Sequence, residues 1–375
     1  MSHADTSLIK TNTALLKADA SIQVANKLLA PKDELPELIP YRKGDKCGFC
    51  DRNKKIVIEC VYQETWPFSD GIAKVKFNGK YGFIDKSGKE ITQCIYGTVH
   101  SFSEGFAKVK LNDKCGFIDK SGKEIMPCIY DKIGTRYGSG FKGDLVAVKL
   151  NKKWGFFDKT GCQIIPYIYD EANCFSEGLI SVKLNGRCGF LDKSGKQIIP
   201  FIYDEVGHFS AGLASVKLDN KWGFIDSNGV QKIPYIYENV YPFSEGLAGV
   251  CLNGNLGFID KTGYQIIPFI YDILYSSFSE GLAHVELNGK CGFIDKTGVQ
   301  IIPFIYDSAY RFSEGFCCVL LNDKWGFIDK TGKTIIQNIY DFVYENFLNC
   351  LAMVGLNSNH NYGYIDKKGT QYWND

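Results

Sequence analysis

A short phrase recurs along the chain at an almost constant spacing, and this period limits the possible folds more than any other feature. The phrase is clearest as Lys-Trp-Gly-Phe-Ile at Lys221–Ile225, followed by Asp226. The steps between successive glycines of the phrase are 34, 34, 39, 34, 34, 34, 35, 34 and 37 residues. Such a period is the signature of repeat units that bury their apolar faces only against neighbours. The glycines are Gly48, Gly82, Gly116, Gly155, Gly189, Gly223, Gly257, Gly292, Gly326 and Gly363.

The sequence of each unit predicts three antiparallel strands and two tight turns. In the clearest unit the predicted strands are residues 213–218, 221–226 and 232–237. The first turn is Asn-Gly in several units, as at Asn78-Gly79, and this pair favours a type I′ hairpin because both positions need positive φ. The second turn, Asp-Lys-(Ser/Thr)-Gly, supplies a glycine for positive φ and an aspartate that can accept bonds from the turn backbone. We therefore expect about ten three-stranded meanders of about 34 residues, joined by loops.

The predicted strands carry apolar side chains on both faces, so each unit is expected to lie between two neighbours. The glycine inside the second strand predicts a close approach of other backbone or a β-bulge. Propellers usually have about four to eight blades of four strands. Ten units of three strands therefore favour an open, twisted superhelical array, and a closed or split β-propeller is the alternative.

The first residues differ from the repeats. Leu8, Leu15, Ile22 and Leu29 are spaced by seven and predict an amphipathic helix over residues 1–30. This helix either caps the first repeat or forms an oligomerisation contact through those four side chains. Residues 31–37 are a connector, and residues 38–375 are the repeat array.

The recurring phrases resemble those of one family. Lys-Trp-Gly-Phe-Ile-Asp-Lys-Thr-Gly at residues 324–332, with Ile-Ile-Pro, Ile-Tyr-Asp and Phe-Ser-Glu-Gly-Leu-Ala elsewhere, is similar to the WG-repeat family, also called KWG repeats. Tryptophan is kept in only three units, at Trp154, Trp222 and Trp325, and cysteine, tyrosine or leucine replaces it in the others. The resemblance implies a chiefly bacterial β-repeat interaction module without general catalytic residues.

Composition indicates which partners and which cellular compartment to expect. The formal net charge is +1, so neither nucleic acid nor an anionic membrane is the expected partner. The 14 cysteines mostly occupy repeat positions that are aromatic or aliphatic in other units, so we expect buried thiols in a reducing cytoplasm. No signal peptide and no membrane-spanning apolar run is apparent in the sequence.

Chemistry-bearing residues do not assemble into a known catalytic or metal-binding motif. The five histidines are scattered, and no zinc, phosphate-loop, dinucleotide or nucleophile motif occurs. The aspartate that follows the phrase recurs in every unit; we interpret it as a turn brace, with a calcium or basic-peptide ladder as the alternative. The tyrosine column, with Tyr203 and Tyr237 as members, is interpreted as core, with a sugar-stacking strip as the alternative. We expect no enzyme activity, no cofactor and no metal.

One irregular unit is the predicted contact site. Residues 131–144 lose the Phe-Ser-Glu-Gly phrase and gain five residues, and insertions of this kind collect on one face of repeat proteins. Arg136, Tyr137, Phe141 and Lys142 are the predicted binding residues. The expected function is a non-catalytic scaffold that binds a protein partner over the repeat surface and oligomerises through residues 7–30. A carbohydrate or cell-surface binding module is the alternative, and an enzyme with a site at 131–144 ranks last.

Overall fold

The computed structural model describes residues 34–134, 140–141, 144–355 and 362–374, and within these ranges the chain forms strands and turns without a helix. The strands assemble into ten sheets, antiparallel apart from one parallel pair, that are arranged around a ring as the blades of a β-propeller. The predicted helix over residues 1–30, with Leu8, Leu15, Ile22 and Leu29, lies outside the described residues.

The blades contain four strands each, apart from the tenth. The first strands are β4 (Glu64–Thr65), β8 (Thr98–Val99), β12 (Lys132–Ile133), β16 (Glu171–Ser176), β20 (Glu205–Ser210), β24 (Asn239–Val240), β28 (Ile273–Ser279), β32 (Ser308–Ala309) and β36 (Phe342–Leu348). The second strands are β1 (Ile39–Lys43), β5 (Ile72–Phe77), β9 (Phe106–Leu111), β13 (Leu145–Leu150), β17 (Leu179–Leu184), β21 (Leu213–Leu218), β25 (Ala248–Leu252), β29 (Leu282–Leu287), β33 (Phe316–Leu321) and β37 (Leu351–Gly355).

The remaining strands complete the blades on the outside. The third strands are β2 (Lys46–Cys50), β6 (Lys80–Asp85), β10 (Lys114–Asp119), β14 (Lys153–Asp158), β18 (Arg187–Asp192), β22 (Lys221–Ile225), β26 (Asn255–Ile259), β30 (Lys290–Ile294), β34 (Lys324–Asp329) and β38 (Tyr362–Asp366). The fourth strands are β3 (Ile56–Tyr62), β7 (Glu90–Tyr96), β11 (Glu124–Tyr130), β15 (Gln163–Tyr169), β19 (Gln197–Tyr203), β23 (Gln231–Tyr237), β27 (Gln265–Tyr271), β31 (Gln300–Tyr306) and β35 (Thr334–Tyr340). The last strand, β39 (Trp373–Asn374), lies instead at the inner edge of the first blade, beside β1.

The expected open superhelical array is wrong, and the propeller alternative is correct. Strand β39, near the end of the chain, pairs in parallel with β1, the second strand of the first blade. Ile39 and Cys50 of the first blade share a buried cluster with Leu351 and Tyr364 of the tenth. The pairing and the shared core join the first blade to the last, so the stack closes on itself.

The predicted three-stranded unit also lacks one strand of the observed blade. In the sixth blade the order is β20-β21-β22-β23, so a first strand precedes the three that the sequence predicts. Strand β16 contacts β20 of the next blade, which places the first strands nearest the ring axis. Several first strands pair over only two residues, such as Glu64–Thr65. Such a short element carries no readable alternation, and the sequence therefore suggests a loop.

The predicted turns are confirmed. Asn78 and Gly79 have φ values of 49° and 75°, as a type I′ turn requires. In the second turn Asp226 Oδ1 accepts bonds from the backbone nitrogens of Asn228 at 3.0 Å and Val230 at 2.9 Å. These bonds lower the pKa of Asp226, the bond from Val230 most of all. The aspartate column therefore braces turns, as the first interpretation of it states.

The glycine of the recurring phrase lies opposite a β-bulge. Trp222 pairs with Tyr237 and Phe224 pairs with Ile233, so the fourth strand inserts extra residues opposite Gly223. A Cβ atom on Gly223 would lie 2.6 Å from the Ile233 carbonyl oxygen. Only glycine fits without a shift of the fourth strand, which confirms the predicted close approach.

The core lies between blades. Phe224 and Tyr237 of the sixth blade form one buried cluster with Val250 and Ile259 of the seventh. Tyr237 is 4% exposed, and the other members of the tyrosine column are likewise buried. The tyrosine column therefore belongs to the core and does not form a strip on which a sugar could stack. Because every cluster of this kind spans two blades, each blade depends on its neighbour for burial.

Polar contacts also tie several blades to the next, at the turns between first and second strands. We call the end of the ring that carries these turns the mouth. Ser244 Oγ donates to the Phe278 carbonyl oxygen of the next blade at 2.7 Å. Glu280 accepts from Gly315 N of the next blade at 3.0 Å and pairs with Lys330 Nζ at 3.0 Å. The glutamate of the Phe-Ser-Glu-Gly phrase is therefore engaged within the ring.

Candidate functional site

Three exposed tyrosines stand at one equivalent position in three consecutive blades. Tyr275, Tyr310 and Tyr344 lie in or directly after the first strands of blades eight, nine and ten. Their exposed fractions are 51%, 47% and 53%. Because the first strands are innermost, these rings form part of the inner wall of the propeller. We call Tyr275, Tyr310 and Tyr344 the aromatic arc.

A second ring in the same blade supports each arc tyrosine. Tyr275 is stacked on His284 at a centroid distance of 4.7 Å. Tyr310 lies 5.4 Å from Trp325, and Tyr344 lies 6.1 Å from Tyr362. Such aromatic pairs hold the exposed rings in fixed orientations before any ligand arrives, which lowers the entropy cost of binding.

Hydrogen bonds fix two of the arc residues further. The Tyr275 hydroxyl donates to Glu286 Oε2 at 2.6 Å, and this bond raises the pKa of Tyr275 to about 12. The backbone nitrogen of Tyr310 donates to the Cys318 carbonyl oxygen at 3.1 Å. Tyr275 therefore stays protonated at neutral pH, and the backbone below Tyr310 is held in the sheet.

Apolar side chains extend the arc along the same first strands. Ile273 is 39% exposed beside Tyr275, and Phe342 is 44% exposed with its ring 6.4 Å from that of Tyr344. Exposed apolar side chains that are gathered on neighbouring blades mark a binding surface more often than scattered surface residues do.

The inner wall is unequal around the ring. At the position of the arc tyrosines, blades seven and two carry Tyr241 and Trp66, both half-buried. Lys74 Nζ covers the Trp66 ring at 3.6 Å. Blades three to six carry polar or small residues there: His100, Gly134, Asn173 and Gly207. The arc therefore gives the ring one aromatic side and one polar side.

The chemistry available at the arc is stacking and hydrogen bonding. His284 is buried beneath Tyr275, and burial lowers the pKa of its imidazole to about 4, so it is neutral near pH 7. Among the residues that the structure describes, no group of histidine, cysteine and carboxylate side chains could hold a metal ion.

The contact site predicted in the insertion, residues 131–144, lies only partly within the described residues. Arg136, Tyr137 and Lys142 lie outside the described residues. Phe141 is 5% exposed, and its ring lies 5.1 Å from Phe106 and 5.2 Å from Phe117. Phe141 takes the core position that the phenylalanine of Phe-Ser-Glu-Gly fills in other blades, so its assignment as a surface contact is wrong.

Sequence reasoning did not identify the aromatic arc. Its three tyrosines follow one another at 35 and 34 residues, which is the repeat spacing and a usable signal. The same column holds tryptophan, histidine, glycine and asparagine in other blades, and it lies in the strand that the sequence did not predict. A column without a constant residue is harder to see than Lys-Trp-Gly-Phe-Ile.

Comparisons with known proteins agree with this architecture. A family model described as "WG containing repeat" matches residues 48–81, 81–115, 116–154, 154–188, 189–222, 222–255, 257–291, 292–325 and 325–357. A comparison with curated protein sequences gives no match.

No helix in the described ranges has the length and apolar character that a membrane crossing needs.

Solved structures align with this chain at low sequence identity. The structure described as "Crystal structure of the eukaryotic initiation factor" is 11% identical, with a TM-score of 0.55 over 81% of this chain and 97% of that one. PorZ, a bacterial surface component of the type-IX secretion system of Porphyromonas gingivalis, is 10% identical, with a TM-score of 0.33 over 90% of this chain and 52% of that one. At 11% identity the likeness to the initiation-factor structure concerns the fold alone.

Proposed function

The chain belongs to the family of WG-containing repeat proteins, and we propose that it is a non-catalytic scaffold that binds a protein partner at the aromatic arc. The observation that carries the proposal is the set of three half-exposed tyrosines, Tyr275, Tyr310 and Tyr344, each backed by a second ring in its own blade. Tyrosine and tryptophan dominate the energetics of protein interfaces because they bury a large area at little entropy cost.

A peptide suits the surroundings of the arc better than a sugar does. Ile273 and Phe342 add exposed apolar area on the same strands. Tyr310 and Trp325 are tilted by 44° to each other, so their faces do not form one flat platform for a sugar ring. Exposed aromatic rings beside apolar side chains suit the apolar and proline side chains of extended peptides. The exposed tyrosine faces also favour a second function, carbohydrate binding, which remains the alternative.

The proposal places the protein in the cytoplasm. The cysteines whose side chains are described are free thiols, and most of them are buried. Free buried thiols suit a reducing compartment, where disulfides are rare.

Selection from a random peptide display library on the full chain tests the proposal. We expect enriched peptides whose affinity falls at least about tenfold when Tyr310→Ala and Tyr344→Ala are combined. Tyr264→Ala is the matched control, because Tyr264 is 70% exposed and belongs to the seventh blade. A selection without enrichment, or peptides that bind the double variant as tightly as the wild type, would reject the arc as a peptide site. A glycan array probed with the same variants tests the alternative.

A further inference from the structure

Blade two contains an aromatic pair that one of its own lysines occupies. Trp66 lies directly after the first strand and Tyr81 lies on the third, with ring centroids 5.8 Å apart and ring planes tilted by 45°. Lys74 Nζ lies 3.6 Å from the Trp66 centroid and 5.9 Å from the Tyr81 centroid. The negative face of an aromatic ring attracts an ammonium at such distances. The pair in blade two therefore binds a cation that the chain itself supplies.

Blade nine repeats this pair without the cation. Tyr310 and Trp325 have centroids 5.4 Å apart and planes tilted by 44°. The backbone around the two pairs is also equivalent. Trp66 N donates to the Lys74 carbonyl oxygen at 3.2 Å, and Tyr310 N donates in the same way to the Cys318 carbonyl oxygen at 3.1 Å. Cys318 therefore stands at the position of Lys74, and its short side chain is 0% exposed.

A second lysine position shows the same difference between blades. In three blades a second-strand lysine lies 5.3 to 5.9 Å from the ring opposite it on the third strand: Lys76 with Tyr81, Lys149 with Trp154 and Lys217 with Trp222. In blade nine the residue opposite Trp325 is Leu320. In the part of the chain that the structure describes, no lysine or arginine lies over the Tyr310 or Trp325 ring, the neighbouring Arg311 included.

The second-strand position that pairs with Trp325 and its counterparts changes its charge around the propeller. Lysine occupies this position in blades two to six, as Lys76, Lys110, Lys149, Lys183 and Lys217. In blades seven to ten the same position holds Cys251, Glu286, Leu320 and Gly355. The aromatic arc therefore lies in the part of the ring where this position has no lysine and has one carboxylate. That part of the ring is complementary to a cation.

We propose that the Tyr310–Trp325 pair takes a lysine side chain of the partner, in the place that Lys74 fills in blade two. The inference rests on the proposed function, because it names the side chain that a peptide brings to the aromatic arc. Tyr310 is 47% exposed, so its ring is accessible to a side chain from outside. The lysine stem packs along the rings, and its ammonium meets their negative faces.

Binding of the full chain to immobilised decapeptides tests the inference. Three libraries of the same randomised sequences carry lysine, norleucine or glutamate at one fixed central position. The lysine library should retain at least about fivefold more protein than the norleucine library, because norleucine has a similar stem without the charge. The glutamate library should retain the least protein.

Leu320→Lys provides a variant that supplies the cation from the chain itself, as Lys76 does in blade two. This variant should bind the lysine and norleucine libraries equally. Leu320→Met is the matched control, and it should keep the fivefold preference because its side chain is uncharged. A preference for lysine that persisted in Leu320→Lys would show that the partner's lysine docks elsewhere, which would overturn the inference.

A competition separates contact with the rings from an ordinary ion pair. Tetramethylammonium binds aromatic faces but donates no hydrogen bonds, so at about 0.1 M its chloride should lower retention by the lysine library at least about twofold relative to sodium chloride at the same concentration. Equal effects of the two salts would assign the lysine to a carboxylate and overturn the inference.

The outcomes also distinguish this inference from the proposed function. Equal retention by the lysine and norleucine libraries, lost when Tyr310→Ala and Tyr344→Ala are combined, would overturn the inference and leave the peptide site in place. Absence of retention by every library would reject the peptide site and the inference together.

Discussion

Tyr275 lies almost parallel to His284, with their ring planes 17° apart and their centroids 4.7 Å apart. Phe293 closes the other side of the imidazole at 5.1 Å. His284 Nε2 is buried and has no hydrogen-bond partner among the described protein atoms. A titratable ring therefore supports one edge of the exposed aromatic arc, and its neutral form is the one that the stack can hold.

The protein should become less stable as the pH is lowered, because the buried His284 resists protonation. Burial lowers the pKa of the folded imidazole from 6.5 to about 4. Between these values the unfolded chain binds more protons than the folded one, so the stabilisation is complete above pH 6.5 and is lost as the pH falls towards 4. The whole effect is about 3 kcal/mol. Urea unfolding between pH 4 and 7.5 measures it.

His284→Ala provides the comparison for that titration. The variant is less stable at neutral pH because it leaves a cavity, but the difference from the wild type should shrink as the pH falls. His100, whose pKa burial also lowers to about 4, is present in both proteins and cancels in the difference. A difference that stays constant with pH would show that His284 does not titrate as the structure indicates.

Gly223→Ala should destabilise the fold strongly for a one-carbon change. The new Cβ would lie 2.5 Å from Tyr235 Cδ1 and 2.6 Å from the Ile233 carbonyl oxygen, and the backbone oxygen cannot move away alone. We expect a loss of about 2 kcal/mol in the free energy of unfolding, as for other overpacked sites. Gly97→Ala is the control, because the nearest atom to its added Cβ is 3.7 Å away. Equal midpoints for the two variants in a thermal melt would contradict this explanation of the glycine.

These residues also show how far the sequence predicts the structure. Gly223, the Asn78-Gly79 turn and Asp226 act through neighbours close in sequence, so spacing and turn chemistry suffice to predict them. The first strands escape prediction because elements such as Glu64–Thr65 are too short to show alternation.

Closure and the aromatic arc depend on more distant relationships. Closure requires Trp373 to pair with Arg42, and no local pattern encodes a contact between opposite ends of the chain. The angle between successive blades, which decides between a ring and a superhelix, is likewise set by packing between units. The arc tyrosines are readable as spacing, but their exposure follows from their place on the innermost strand.

Tyr372→Ala should weaken the closure of the ring. Tyr372 is 2% exposed in the cluster that joins blades ten and one, and its carbonyl oxygen accepts from Arg42 N at 3.4 Å. Loss of a buried aromatic ring costs about 3 to 5 kcal/mol. We expect a lower thermal midpoint and a larger radius of gyration by small-angle X-ray scattering.

The exposed residue Tyr264 gives the matched control for this change. Tyr264→Ala removes the same atoms from a side chain that is 70% exposed, so its midpoint and radius should equal those of the wild type. If Tyr372→Ala behaved like this control, the closing contact would not hold the ring together.

The exposed cysteine should be alkylated much faster than the buried cysteines. Cys317 and Cys318 are 0% exposed, and burial raises the pKa of both thiols. Cys162 is exposed in the second turn of blade four. Iodoacetamide at pH 8 in native buffer should label Cys162 within minutes and leave the buried pair unlabelled until denaturant is added, because the thiolate is the reactive form. Peptide mass spectrometry measures the three rates, and rapid native labelling of Cys317 would disagree with its position in the core.

The outermost strands carry a safeguard against polymerisation. Each is seven residues long, rich in β-branched side chains and open along one edge, with aliphatic groups such as Ile168 and Ile202 nearly half exposed. Such edges are templates for cross-β growth. Exposed prolines interrupt six of them, at positions 127, 166, 200, 234, 268 and 303, and Glu59, Gln93 and Gln337 occupy the same place in three others. These prolines are therefore placed to act as gatekeepers against edge-to-edge pairing of the outermost strands.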